Sequence, residues 1–406
     1  MTDDSCQVLT LGKFNKAHPS QGQYLDRRSE SVQHLRRHLC ESLNLRILNV
    51  PLPPGSAEGG QVRVAVLFSG GLDCTVLSRM AHDILPLDQQ IDLINVAFEN
   101  PRVMKAAKDS ARAKNGGNEV YKSGNGANCP SLAVDSDCLG GQSPFESCPD
   151  RETGRKAFQE LQSVCPGRCW RFVAVSGRYG FNSLADSQVN VPYTETVAHR
   201  SNVINLIHPH NTEMDLSIAY ALYFAARGTG VASTNFNTTP TAYHTPARIL
   251  LSGLGADELF GGYTRHATAW ARQGFMGLLD ELKLDIERLG KRNLGRDDRV
   301  ISHWGREARF PYLDETLVKW AVESPIWEKC GFQSNVLVER EIPNLEPGKK
   351  VLRLLAYELG MHSVAQEKKR AVRLLFSLGA IPLTANRFNL GQGRRRWNWV
   401  IQKAQR

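Results

Sequence analysis

Two periods alternate in the apolar positions of this chain, and the alternation predicts its elements. Val32, Leu35, Leu39 and Leu43 recur at three- and four-residue intervals, which predicts a helix over Ser31 to Leu45. A Pro- and Gly-rich stretch, Pro51 to Gly60, ends that pattern, and a largely apolar run at 62–68 predicts a buried strand. Helical spacing resumes after Cys74 through Val76, Leu77, Met80 and Ile84 and stops near Pro86; a second buried strand follows at Ile91 to Phe98. Strand, helix and strand in this order form a βαβ unit, so a parallel sheet with helices on its faces is expected.

From about Met104 to Pro149 the periodicity fails. Gly, Ser, Asn, Lys and Asp dominate, and a disordered insertion at 104–149 is expected. Order returns with Asp150 and a helix through Ala157, Phe158 and Leu161, followed by a strand at Arg171 to Val175. A helix around Ile218 to Ala226 and a strand at 249–251 continue the alternation. The region 264–367 reads as mostly helical, with helices at 315–323 and from Lys349 to Leu359.

Charge adds one correction to this picture. The 406-residue chain carries a net charge of +9, which by itself suggests nucleic acid. Ten Lys or Arg and no acid lie between Lys368 and Arg406, so removing them leaves −1 for the body. Arg394-Arg-Arg-Trp-Asn-Trp399 combines cations with stacking surfaces, yet a solvated end is the expectation, and no nucleic-acid partner is expected. Nine cysteines in a chain of this length make no disulfide scaffold, and Cys165 and Cys169 are spaced too far apart for a redox or zinc knuckle. No apolar run approaches the roughly 18–20 residues that cross a bilayer, and the start lacks the order of a secretory signal. A soluble, cytoplasmic protein with no membrane partner is expected.

The chemistry concentrates in two strand–turn–helix units. Ser69-Gly70-Gly71-Leu72-Asp73 follows the first strand, and Leu251-Ser252-Gly253-Leu254-Gly255-Ala256-Asp257-Glu258-Leu259-Phe260-Gly261, with Gly262 and Tyr263, follows the strand at 249–251. Glycines at a strand-to-helix turn let backbone N–H groups converge on an anion, and the helix N-terminus adds favourable potential. An Asp in each first turn suits the metal that accompanies phosphates. The first loop is not a Walker loop.

This loop resembles the S-G-G-x-D loop of the ATP pyrophosphatases. The second unit is similar to the L-S-G-x-G-[SA]-D-E-x-F-G-G-Y segment of asparagine synthetases, and Trp304-Gly-Arg-Glu-Ala-Arg-Phe-Pro-Tyr-Leu-Asp314 is similar to that family's W-G-x-E-A-R-x-P-F-L-D. Asp150 to Arg155, Asn293 to Ile301 and Pro325 to Lys329 further resemble a group of asparagine synthetase domain-containing proteins. The resemblance runs from about Ser31 to Val372, apart from the insertion. It implies an α/β fold: a parallel-sheet ATP-pyrophosphatase (adenine nucleotide alpha hydrolase-like) domain with a largely helical C-terminal part.

It also implies a reaction. ATP adenylates aspartate, pyrophosphate leaves, and ammonia displaces AMP. The implied cofactors are ATP and Mg²⁺, with Asp73 and Asp257 as metal ligands. Lys349, matching the family's K-x-x-L-R, and Asp257 are implied as catalytic. Val66, Leu67, Ser69, Gly70, Gly71, Asp73, Leu251, Ser252 and Gly253 are implied to bind the nucleotide.

Three departures qualify the resemblance. Leu254 stands where well-known members have Glu, and leucine can neither take a proton nor pair an ammonium. Thr2 follows the initiating Met where the family's glutaminase exposes a Cys, and only about sixty residues precede the first strand. After Lys369-Arg-Ala-Val372 the family's Q-F-G is absent, which fits a sequence cut short or joined out of frame. The expected organisation is a remnant segment and linker at 1–60, a synthetase-like domain at 61–367 and a basic tail at 368–406. Ammonia would be free or come from a glutaminase outside the chain. An alternative is a nucleotide-binding protein without turnover; tRNA modification ranks last.

Overall fold

A computed structural model describes residues 12–19, 25–52, 62–99, 148–176, 191–235, 239–332 and 345–369. All but the last two residues of the expected insertion at 104–149, most of the linker, and the basic tail beyond Lys369 lie outside these. The strands are β1 (Val64–Leu67), β2 (Ile91–Val96), β3 (Trp170–Val175), β4 (Thr229–Ser233), β5 (Thr241–His244), β6 (Ile249–Leu251) and β7 (Glu307–Arg309). The first helices are α1 (Glu30–Ile47), α2 (Leu72–Ile84), α3 (Pro149–Val164), α4 (Tyr193–Ala198), α5 (Arg200–Ile207) and α6 (Glu213–Arg227). The rest are α7 (Ala256–Phe260), α8 (Thr264–Leu289), α9 (Gly295–Ser302), α10 (Glu315–Glu323), α11 (Lys350–Glu358) and α12 (His362–Gln366). Among the described residues, no helix is long and apolar enough to cross a membrane.

One seven-stranded sheet runs in the order β5-β4-β3-β2-β1-β6-β7. β3, β2, β1, β6 and β7 are mutually parallel, while β4 pairs antiparallel with both β3 and β5. The parallel sheet expected from the βαβ pattern is therefore a mixed sheet. Gly230 in β4 sits where a Cβ would run into the Ala174 carbonyl of β3, and β5 is an exposed edge. Neither strand carries an apolar alternation that a sequence pattern could show.

Successive side chains of a strand point to opposite faces, and here both faces are buried. Val64, Val66, Ile91, Leu93, Phe172, Ile249 and Leu251 join one apolar core, covered by α1, α2, α3, α10 and α11. Ala65, Ile94, Val175 and Leu250 join the other, covered by α5, α6 and α9. Caps fix the helix starts: Thr212 accepts the Asp215 N–H at 3.1 Å, and Asp314 accepts the Thr316 N–H at 3.0 Å.

Helix α1 belongs to this packing. Val32, Leu35, Leu39 and Leu43 are each fully buried in the first core. Burying each such side chain stabilises by roughly 1.5–3 kcal/mol. Leu39→Ala is expected to lower unfolding stability by about 2–5 kcal/mol; a loss below about 0.5 kcal/mol in chemical denaturation would mean that α1 is not docked.

A buried lysine gives the fold a pH signature. Lys329, only 2% exposed, donates to the Ala321 carbonyl in the last turn of α10, where the helix dipole favours a cation. Desolvation nevertheless pulls its pKa down from 10.5 to about 8. The folded chain therefore loses this proton first: the cost of burial is full below pH 8 and is relieved between about 8 and 10.5. Across that window wild type is expected to gain about 3 kcal/mol relative to Lys329→Met in unfolding titrations at each pH. A pH-independent difference between the two would contradict this assignment.

Candidate functional site

Chain order along the sheet reverses at β1. From β1 the chain builds outward through β2 and β3, and β6 and β7 are then added on the other side. Loops leaving adjacent strands at such a switch point diverge and open a crevice at the strands' carboxyl ends. The Ser69–Asp73 loop and the Ser252–Asp257 loop leave adjacent strands at this switch point.

Glycine is required at two places. Gly70 has φ +80°, and a Cβ there would lie 2.5 Å from the Thr153 carbonyl oxygen at the start of α3. Gly253 has no such strain, but its Cβ would lie 2.9 Å from that of Asp73, so the two loops approach each other through its missing side chain. Asp73 is fixed from below, its carbonyl accepting the Tyr312 hydroxyl at 3.0 Å.

The third part arrives from α11. Lys349 occupies its N-cap with φ 55°, the sole positive φ of a non-glycine among the described residues. Its N–H donates to the Phe260 carbonyl at 2.8 Å, tying it to the end of α7. Buried Arg353, four residues on, donates to the Gly348 carbonyl at 3.1 Å and the Ala365 carbonyl at 2.7 Å. So held, the Lys349 ammonium lies 2.8 and 2.9 Å from the two Asp73 oxygens and 3.0 Å from Asp257 Oδ1. Lys369 adds a second ammonium 2.6 Å from that same Oδ1.

The electrostatics follow from this arrangement. Lys349 is almost fully buried, but the two carboxylates keep 22% and 19% of their side-chain surface exposed, so a ligand can reach them. Burial works against charge on all three. For Asp73 it prevails and pushes the carboxyl up, with Lys349 opposing. For Asp257, Lys349 and Lys369 outweigh burial and hold the carboxyl at about 2. For Lys349, Asp73 and Asp257 outweigh burial and raise the ammonium above its ordinary value. Both carboxylates bind a cation here, and their donors are oxygens only. That set suits Mg²⁺, which takes one or two protein carboxylates and completes its shell with water and substrate phosphates. Among the described residues no group of three or more His, Cys, Asp and Glu could hold a metal alone.

The structure places the other sequence-marked residues unequally. Ser69 is exposed at the loop tip, its hydroxyl accepting the Gly71 N–H at 3.3 Å. Ser252 donates its N–H to the Arg309 carbonyl at 2.9 Å, and its hydroxyl accepts the Leu254 N–H at 3.3 Å. Val66 and Leu251 are cross-strand partners whose side chains are fully buried in the core, so a ligand would meet only their main chain; Leu67 is half-buried. Leu254 is half-buried and brings no ionisable group to the loop.

The two neighbouring acids of the second unit part company. Glu258 is 3% exposed and accepts the Gly255 N–H at 3.1 Å, the Tyr263 hydroxyl at 2.5 Å and the Asn293 amide at 3.2 Å. It caps α7 and shapes the loop, leaving Asp257 to face the crevice. Two residues were missed from sequence. Lys369 was grouped with the basic tail, although its Lys-Arg-Ala context was a usable signal. Tyr263 was noted only as the end of a motif.

The chain is similar to known proteins over most of its length. A family model described as asparagine synthase matches residues 231–280 and 276–388. Asparagine synthetase domain-containing protein 1 of Homo sapiens is 38% identical over 320 residues, which cover 77% of this chain and 45% of the relative. The protein of that name from Bos taurus is 36% identical over 356 residues, covering 85% and 51%. A putative asparagine synthetase [glutamine-hydrolyzing] 1 of Methanocaldococcus jannaschii is 46% identical over 88 residues, 22% of this chain and 16% of the relative. The chain spans about half the length of the domain-containing relatives it matches. This chain thus carries an asparagine synthase domain and belongs to the asparagine synthetase-like family, alongside the asparagine synthetase domain-containing proteins.

Proposed function

We propose that this chain is the synthetase part of an ATP-dependent amide-forming ligase of the ATP-pyrophosphatase fold, with aspartate as the acceptor. The observation that carries the reading is one ammonium, Lys349, shared by carboxylates from two separate strand–turn–helix units at the switch point. Such convergence of mixed charge at a ready anion cradle suits a phosphate–metal complex.

Each part of the site has a task. The Ser69–Gly71 turn and the start of α2 receive the departing pyrophosphate, using backbone N–H groups and the helix potential. Lys349 and Lys369 offset charge that builds on the phosphates as the carboxylate oxygen attacks the α-phosphorus. Asp73 and Asp257 would hold Mg²⁺, which supplies charge neutralisation and orientation of the phosphates when bound. Main-chain groups at Val66, Leu67, Leu251, Ser252 and Gly253 border the adenylate. Ammonia nitrogen then attacks the acyl carbonyl, and AMP leaves with the acyl oxygen. The nitrogen is free ammonia or ammonia released from glutamine by a glutaminase, in a cytoplasmic setting.

Leu254 favours a second reading, a nucleotide-binding protein without turnover, because no acid–base group stands at that position. Isotope exchange between pyrophosphate and ATP separates the two. With Mg²⁺ and aspartate, wild type is expected to exchange, and Lys349→Ala to lose about 100-fold or more. ATP binding with exchange no faster than that of an Asp73→Ala control would overturn the ligase reading and leave the second one standing.

A further inference from the structure

Tyr263 ends the glycine-rich segment, and His266, Glu258 and Arg265 hold it. Its N–H donates to His266 Nδ1 at 3.2 Å, and His266 Nε2 lies 2.9 Å from Asp285 Oδ2. The acceptor role of Nδ1 leaves the proton on Nε2, facing Asp285. His266 is fully buried and Asp285 nearly so, so this is a fixed internal brace rather than a surface contact. At the other end the hydroxyl donates to Glu258 at 2.5 Å. Arg265, itself paired with Asp285, sits 3.9 Å from the ring centroid.

Lys369 is the cation this frame serves. Its ammonium is 3.9 Å from the centroid of the Tyr263 ring and 2.6 Å from Asp257 Oδ1. It lies beyond the end of α12, outside any helix or strand that would fix its main chain. An ammonium over an aromatic face is attracted by the ring quadrupole, more strongly when partly desolvated. The ring therefore supplies an anchor that persists when an entering anion draws Lys369 away from Asp257.

We propose that Tyr263, braced by His266, Asp285 and Glu258, is a positioning residue whose ring fixes the Lys369 ammonium in the site and so sets how tightly the site holds phosphate oxygens. The proposal rests on the phosphate-binding part of the functional reading but adds a residue and a means of action to it. Tyr263 touches no substrate in this account and works only through Lys369.

A double-mutant cycle tests it, with Tyr263→Leu, Tyr263→Phe, Lys369→Ala and the Leu–Ala double variant. Binding of Mg²⁺–pyrophosphate is measured by calorimetry, and the unfolding equilibrium by denaturant titration of the same four proteins. Tyr263→Leu is expected to weaken pyrophosphate about 2- to 30-fold in wild type and not at all once Lys369 is gone. Tyr263→Phe, which keeps the ring and loses the Glu258 bond, is expected to restore most of what Leu loses. Full additivity of Tyr263→Leu and Lys369→Ala would overturn the proposal, as would Phe binding no better than Leu. If wild type binds no pyrophosphate, the functional reading fails while the unfolding cycle still judges the platform. Coupling of about 2- to 30-fold in the unfolding equilibrium then upholds it, and zero coupling overturns it.

Discussion

Two carboxylates from separate loops at the carboxyl ends of β1 and β6 each lie within 3.0 Å of one ammonium, and like charges brought so near repel. Lys349 resolves the conflict by binding both, at 2.8 and 3.0 Å. Much of the surrounding architecture serves this contact. Gly253 lets the β6 loop close onto Asp73, Arg353 and the Phe260 carbonyl hold Lys349 in a left-handed conformation, and Glu258 caps α7 so that, of the two acids, Asp257 alone reaches Lys349. The ammonium also marks where positive charge is wanted, and positive charge is what phosphates bring with them as a metal.

How much of this the sequence revealed depends on which physical signal each element leaves. Helix α1, strands β1, β2 and β6, and helix α10 announced themselves because burial on one or both faces imposes an apolar period. The short edge strand β7, Glu-Ala-Arg, and the exposed β5 left none, since their pairing depends on backbone bonds rather than apolar side chains. The loops carrying Asp73 and Asp257 were legible because glycine where backbones must approach, followed by an acid at a helix start, is a rare and chemically specific order. Their mutual distance was not, because it depends on strand order, which the sequence leaves open.

Lys369 illustrates the limit from the other side. At the head of a basic stretch with no acid after it, a solvated cation is the natural reading, and only the fold brings it to Asp257 and the face of Tyr263. Glu258 is the converse case: adjacent to Asp257 and of the same chemistry, it belongs to the frame because the helical turn points it inward toward backbone and hydroxyl donors. Adjacency along the chain does not separate the two acids; the direction of each side chain does.

The shared-cation account is tested most directly by thermal unfolding of wild type, Lys349→Met and Lys349→Met/Asp73→Asn, each with and without Mg²⁺. If Lys349 holds two otherwise repelling carboxylates, Lys349→Met melts below wild type without metal and recovers part of the loss with Mg²⁺. In the double variant the repulsion is relieved, so most of the stability returns and the Mg²⁺ response disappears. Lys349→Met melting at the wild-type temperature, or an undiminished Mg²⁺ response without the Asp73 carboxylate, would contradict the account.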